Sequence, residues 1–241
     1  MITSKQNSLI KEIRSLADKK FRDRLNLFVI EGVKPVKEAL SLNIPLYAVI
    51  GTGEVLSQLC LNGVRVEEVS DEVLKYVSEE VTPQGVIAVA FKPENLLTAP
   101  KGKCLFLDGV ADPSNVGAII RTAAALGYNQ IYMTDDCADP YSQKAVRSSM
   151  TGVLRVEIIR TERQALMQLI NLPVIVADMN GQDLSTFTIG EDFCLVIGNE
   201  GRGVSNLLRE RANFTVCIPM QNGVESLNAA VSAAILMYGI K

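Results

Sequence analysis

The 241-residue sequence contains no histidine and no tryptophan, and only 5% of it is aromatic. Without histidine there is no imidazole base, no serine–histidine or cysteine–histidine nucleophile, and no histidine-ligated zinc or haem. The five cysteines (Cys60, Cys104, Cys137, Cys194 and Cys217) are scattered, with no C-x-x-C pair. An odd, dispersed set reads as reduced thiols buried in the strands of a cytoplasmic protein, with no metal site. A charged-then-apolar leader is also missing, because lysine, glutamate and arginine interrupt residues 1–16. The longest charge-free apolar stretch, residues 226–240, falls short of the about 20 residues of a membrane span. These absences point to a soluble protein whose chemistry uses neither imidazole nor metal.

What is present is an apolar, unevenly charged chain. Its length favours two domains over one large α/β domain. Net charge is +4 over residues 1–40, −5 over 41–100 and −2 over 101–241. A basic leading segment on an acidic chain fits a nucleic-acid contact through Lys5, Lys11, Arg14, Lys19 and Lys20. A solvated helix face is the plainer alternative.

Apolar periodicity predicts helices at 9–17, 33–42, 55–61 and 71–77, with strands at 26–31, 46–50, 64–69 and 85–90. Residues 91–103 have no period and read as a linker, dividing the chain into domains at 1–95 and 96–241. Beyond it, continuous apolar runs at 104–107, 131–133, 174–177, 193–197 and 216–218 predict a parallel sheet covered on both faces. Helices are expected at 115–126, 142–150, 162–170, 204–211 and 226–238.

Three loops after strands carry chemistry-bearing residues, where parallel sheets gather ligands. In the first, Asp112-Pro113-Ser114-Asn115 opens a helix whose second face is small except for Arg121. That helix reads as buried on both sides, so Arg121 needs an anion: a structural carboxylate, or a phosphate or charged transition state. The second, Gly198-Asn199-Glu200-Gly201-Arg202-Gly203, is neither the dinucleotide G-x-G-x-x-G fingerprint nor a P-loop. There Glu200 is a candidate partner for Arg121 or for a ligand hydroxyl. The third runs from Ile218-Pro219-Met220 to Ser226-Leu227-Asn228 and a charge-free helix expected to be buried on every side, within the domain or against a second subunit.

Taken together, these segments resemble the SpoU (TrmH-like) family of RNA ribose 2′-O-methyltransferases. The matching residues are Asn115, Gly117 and Arg121; Gly198, Glu200, Gly201 and Gly203; and Ile218-Pro219-Met220 with Ser226-Leu227-Asn228. The N-terminal half resembles the small ribosomal-protein-like substrate-binding domain of such enzymes, through residues 10–16, Glu31-Gly32 and residues 82–90. The resemblance implies a parallel-sheet α/β methyltransferase domain with a deep trefoil knot, and a homodimer through the knot region. It implies S-adenosylmethionine held at Gly198, Gly203, Ile218 and Leu227, and catalysis by Arg121, Asn115, Glu200, Ser226 and Asn228. Ribosomal RNA is the expected substrate. The alternatives are transfer RNA, a catalytically silent RNA-binding protein of the same fold, and a nucleotide-dependent oxidoreductase. Methyl transfer from a sulfonium requires alignment and removal of one proton, which suits a chain without histidine.

Overall fold

The computed structural model describes residues 1–223 and 226–240. Its first sheet has the order β1-β4-β2-β3 (Leu27–Glu31, Val86–Phe91, Leu46–Gly51 and Val66–Glu68). β4 runs antiparallel to both β1 and β2, whereas β2 and β3 are parallel. The central strand β4 is buried from Val86 to Ala90, as its unbroken VIAVA run demands. Around it lie α1 (Ser8–Ser15), α3 (Val33–Ser41), α4 (Gly53–Leu56) and α5 (Asp71–Val77). The helix expected over 9–17 is α1, and a second helix not expected from the sequence follows it. Asp18 accepts a hydrogen bond from the Lys20 amide and so caps the start of α2 (Lys19–Leu25).

The second sheet is parallel throughout, in the order β10-β8-β9-β5-β6-β7. Its strands are β5 (Lys103–Asp108), β6 (Gln130–Met133), β7 (Glu157–Arg160), β8 (Val174–Asp183), β9 (Phe193–Gly198) and β10 (Phe214–Cys217). The helices are α6 (Pro113–Leu126), α7 (Gln143–Ser149), α8 (Arg163–Leu169), α9 (Asn206–Arg211) and α10 (Ala229–Gly239). Cys104 and Phe106 pack into one apolar layer, Leu105 and Leu107 into the other. Each face of β5 is therefore buried. The edge strand β7 gave no sequence signal, since only Ile158 and Ile159 of its four residues are apolar.

Two expectations are corrected. The last helix begins at Ala229, not at Ser226, because the Asn228 side chain caps it by accepting from Ala230 and Val231. Within the single chain one side of it stays open, where Val231, Ile235 and Tyr238 are 47%, 38% and 75% exposed. The cysteines are also less uniform than expected. Cys104 and Cys194 are buried in strands and Cys137 in a loop, whereas Cys60, beyond the short α4, is exposed.

The two halves meet across a buried ion pair. Arg22 of α2, 4% exposed, bonds Asp139 in the β6–α7 loop at 2.7–2.8 Å. Its remaining donors reach the Leu16 and Ala17 carbonyls at 2.8 Å. The other Asp139 oxygen accepts the Tyr141 amide at 3.0 Å. Both charges are thus satisfied, which a buried pair requires. Phe28 stacks on Tyr141 beside them, with ring centroids 5.0 Å apart.

Candidate functional site

The C-terminal ends of β5, β9 and β10 converge, and the three motif loops follow them. At the first, Asp112 accepts the Ser114 and Asn115 amides and Pro113 occupies the first turn of α6. Burial raises the Asp112 carboxyl, but those amides and Lys144 together hold it below its ordinary value. This cap fixes Asn115 in the first turn of α6. The Asn115 amide donates to Glu200 Oε1 at 2.7 Å, and its carbonyl oxygen accepts from Asn228 Nδ2 at 3.0 Å. Three segments distant in sequence are therefore joined by one chain of side-chain hydrogen bonds.

The glycine loop is held from below. Asn199 donates to the Gly109 carbonyl at 2.7 Å and accepts the Gly201 and Arg202 amides at 3.0 Å. Its backbone pairs both ways with Gly203, which has φ +68°. A Cβ on Gly198 would lie 2.3 Å from the Gly203 carbonyl carbon, so only glycine fits there. Asp108, 2% exposed at the end of β5, accepts the Ser205 amide at 2.7 Å and Arg163 Nε at 2.5 Å.

Against this loop lies a cleft of about 490 Å³. Gly198, Gly203, Ile218 and Leu227 line it, with Glu200 and Ser226. Asn115, Asn228 and Arg121 do not line it, although Asn115 is bonded to Glu200 and Asn228 to Asn115. Sequence reasoning missed Asp178, Met179, Asn199, Cys217, Ser232 and Leu236, which also face it. The end of the apolar run at Ala177, just before Asp178, is the one signal that could have found the first two.

Arg121 requires a correction. It is exposed, and among the described residues it forms no ion pair, with Glu200 or any other carboxylate. Glu200 is held by Asn115 instead. The physical reason is that α7 and the turn Gly152–Leu154 cover only part of α6. A Cβ on Gly117 would stand 2.4 Å from the Ala145 carbonyl, whereas Ala125 on the same small face is open. Of the N-terminal cations, Lys5 pairs with Glu72 and Lys19 with Asp23, and the Arg14 guanidinium lies over Tyr76. Lys11 and Lys20 are exposed.

Comparison with known proteins gives this arrangement a family. Residues 102–238 match the SpoU rRNA Methylase family, and residues 7–88 match the MRM3-like substrate binding domain. The chain is 32% identical to the 23S rRNA (guanosine(2553)-2′-O)-methyltransferase RlmP of Bacillus subtilis, covering 100% of this chain and 98% of that one. It is similar in structure to an AdoMet-bound rRNA methyltransferase from Sinorhizobium meliloti, with TM-score 0.90, 29% identity and coverage of 99% and 95% of the two chains. The SpoU methyltransferase AviRb of Streptomyces viridochromogenes, in complex with AdoMet, aligns with TM-score 0.86, 26% identity and 97% coverage of each chain. With its three motifs bonded at one cleft and the match spanning most of its second half, the chain belongs to the SpoU rRNA methylase family.

Proposed function

We propose that this chain transfers the methyl group of S-adenosylmethionine to a ribose 2′-hydroxyl of ribosomal RNA. In this reading residues 1–95 form the RNA substrate-binding domain and residues 96–241 the methyltransferase domain. One observation carries it: the Asn228–Asn115–Glu200 hydrogen-bonded chain stands beside a glycine-walled cleft. The relatives named above, two of them holding AdoMet, support the substrate and cofactor.

The cleft fits the cofactor. Its volume lies within the range of about 300–1,000 Å³ usual for such ligands, and its walls combine bare backbone with apolar side chains. Gly198 and Gly203 would hold the ligand by close backbone approach, with Ile218 and Leu227 against its apolar parts. When bound, S-adenosylmethionine supplies a methyl group made electrophilic by a positively charged sulfur.

The protein must align the ribose and ease the loss of its proton. A guanidinium offers donors and no acceptor, so Arg121 is assigned to clamping the RNA phosphate and stabilising developing alkoxide charge. Asn115, itself held by Asn228, holds Glu200 at the cleft rim, and Ser226 lies there too. Together these four groups position the ribose. Lys5, Lys11, Arg14, Lys19 and Lys20 are proposed to draw structured RNA to the N-terminal domain through phosphates.

Two further features belong to this reading. The trefoil knot rests on the family resemblance; Gly181 lies where β8 packs closely on its parallel neighbour β10 at a register shift. A Cβ there would lie 2.6 Å from the backbone of Thr215 and Val216. Homodimerisation is supported by the exposed apolar stripe of Val231, Ile235 and Tyr238 on a charge-free helix. No helix among the described residues is long and apolar enough to cross a membrane, and a ribosomal RNA substrate implies work in the cytoplasm.

Mapping 2′-O-methyl groups in ribosomal RNA from cells with and without the protein tests the assignment. One position should lose its methyl and regain it when the chain is restored. An unchanged map contradicts the assignment.

A further inference from the structure

A second link between the halves lies behind Arg121. Glu38, on α3 of the N-terminal half, accepts the Thr151 hydroxyl at 2.5 Å and Arg155 Nη2 at 2.5 Å. Thr151 and Met150 both have positive φ, +68° and +47°. Residues with a Cβ keep that conformation only where surrounding contacts hold it. The next residue, Gly152, lies directly on the backbone of Arg121. A Cβ there would stand 3.0 Å from Arg121 Cα, 3.2 Å from its amide nitrogen and 3.2 Å from the Ile120 carbonyl. The Thr151 hydroxyl and the Arg155 guanidinium hold the Glu38 carboxyl below its ordinary value, so it acts as an ionised acceptor.

We propose that Glu38 is a positioning residue, acting through Thr151 and Gly152 to set the backbone of Arg121 from the substrate-binding half. The proposal rests on reading Arg121 as the phosphate clamp. A carboxylate on α3 fixes a strained two-residue turn, and the turn abuts the helix segment carrying the guanidinium. RNA seated on the N-terminal half then meets Arg121 in a defined place. Displacement of α3 is transmitted because Gly152 and Arg121 already touch, leaving no slack to absorb it. Glu38 itself touches no substrate in this scheme.

The test uses the full-length protein, ribosomal RNA and S-adenosylmethionine under single-turnover conditions. Glu38→Gln should slow methyl transfer about tenfold, since small misplacements of catalytic groups are costly. Calorimetric affinity for S-adenosylmethionine and filter-binding affinity for RNA should each stay within about twofold. Thr151→Val should reproduce the slowing, and Thr151→Ser, which keeps the hydroxyl, should restore the rate. Amide exchange should quicken across residues 150–155 in Glu38→Gln without quickening across the first sheet.

A double-mutant cycle with Arg121→Lys separates the two readings. Once Arg121 is replaced, Glu38→Gln should cost no more than about twofold. The same tenfold loss in that background overturns the proposal, because Glu38 would then act on another group. An unchanged rate for Glu38→Gln alone also overturns it. If Arg121→Lys and Arg121→Ala keep the normal rate, the reading of Arg121 fails and the Glu38 proposal falls with it.

Discussion

Asn115 donates its side-chain amide to Glu200 at 2.7 Å, across 85 residues of sequence. Since its carbonyl oxygen is engaged by Asn228 at 3.0 Å, neither end of the amide is free to turn. Asn115→Ala removes both bonds and leaves the Glu200 carboxylate without its side-chain partner. Single-turnover methylation should fall by about a hundredfold while affinity for S-adenosylmethionine stays within about twofold. An equal loss of cofactor affinity would place Asn115 in the cleft wall instead.

Gly198→Ala should act on the cleft. Its Cβ would come within 2.3–2.5 Å of Gly203 and Val204 backbone atoms, none of which belongs to a flexible side chain. The glycine loop must move, at a cost of about 1–3 kcal/mol in overpacking. Calorimetry should find cofactor binding weakened at least tenfold, and a thermal melt should shift down. Wild-type affinity would mean that the loop does not shape the site.

The Arg22–Asp139 pair is the main buried electrostatic tie between the halves. Arg22→Ala leaves Asp139 buried and without its cation, and breaking such a pair costs about 3–5 kcal/mol. Denaturant unfolding should show the loss, whereas replacing exposed Lys20 should change stability by less than about 0.5 kcal/mol.

Alkaline stability should depend on Tyr132. Burial is the chief cause that raises this phenol from its ordinary 10.0 to about 12, and its hydroxyl donates to the Thr98 carbonyl. The folded state holds the proton more tightly than the unfolded chain. Its contribution is therefore intact below pH 10 and is lost as pH rises towards 12. Tyr132→Phe should flatten the fall in melting temperature across that window. Tyr128 and Tyr141, also raised by burial, keep some of the slope.

Glutamate substitutions at Lys5, Lys11, Arg14, Lys19 and Lys20 should weaken RNA binding and flatten its salt dependence, with cofactor affinity unchanged. RNA affinity that stays the same at several salt concentrations would assign those charges to an ordinary solvated face. The ion pairs of Lys5 and Lys19 already occupy two of the five, so Lys11, Arg14 and Lys20 should contribute most.

Much of this was legible in the sequence because the central strands are apolar on both faces. β5 and β9 are continuous runs, and Gly198, Gly203, Ile218 and Leu227 do line one cleft. Elements shaped by a single local interaction were not legible. Asp18 starts the short α2 by capping it, and β7 forms at the sheet edge around two isoleucines. Asn199 and Asp108 were overlooked because their work is hydrogen bonding to backbone groups that only the fold brings near. A helical wheel placed Arg121 on a face of small residues, but it could not say which part of that face α7 would leave open. Exposure depends on neighbours, and periodicity reports only sides.

The most direct test is transfer of a labelled methyl from S-adenosylmethionine to ribosomal RNA, followed by complete alkaline hydrolysis. A 2′-O-methyl group removes the hydroxyl that attacks the adjacent phosphate, so the account predicts label in an alkali-resistant dinucleotide. Arg121→Ala should lower that signal at least about a hundredfold with cofactor binding intact. Label recovered in mononucleotides would mean base methylation, and it would contradict the account, as would cofactor binding with no transfer to RNA.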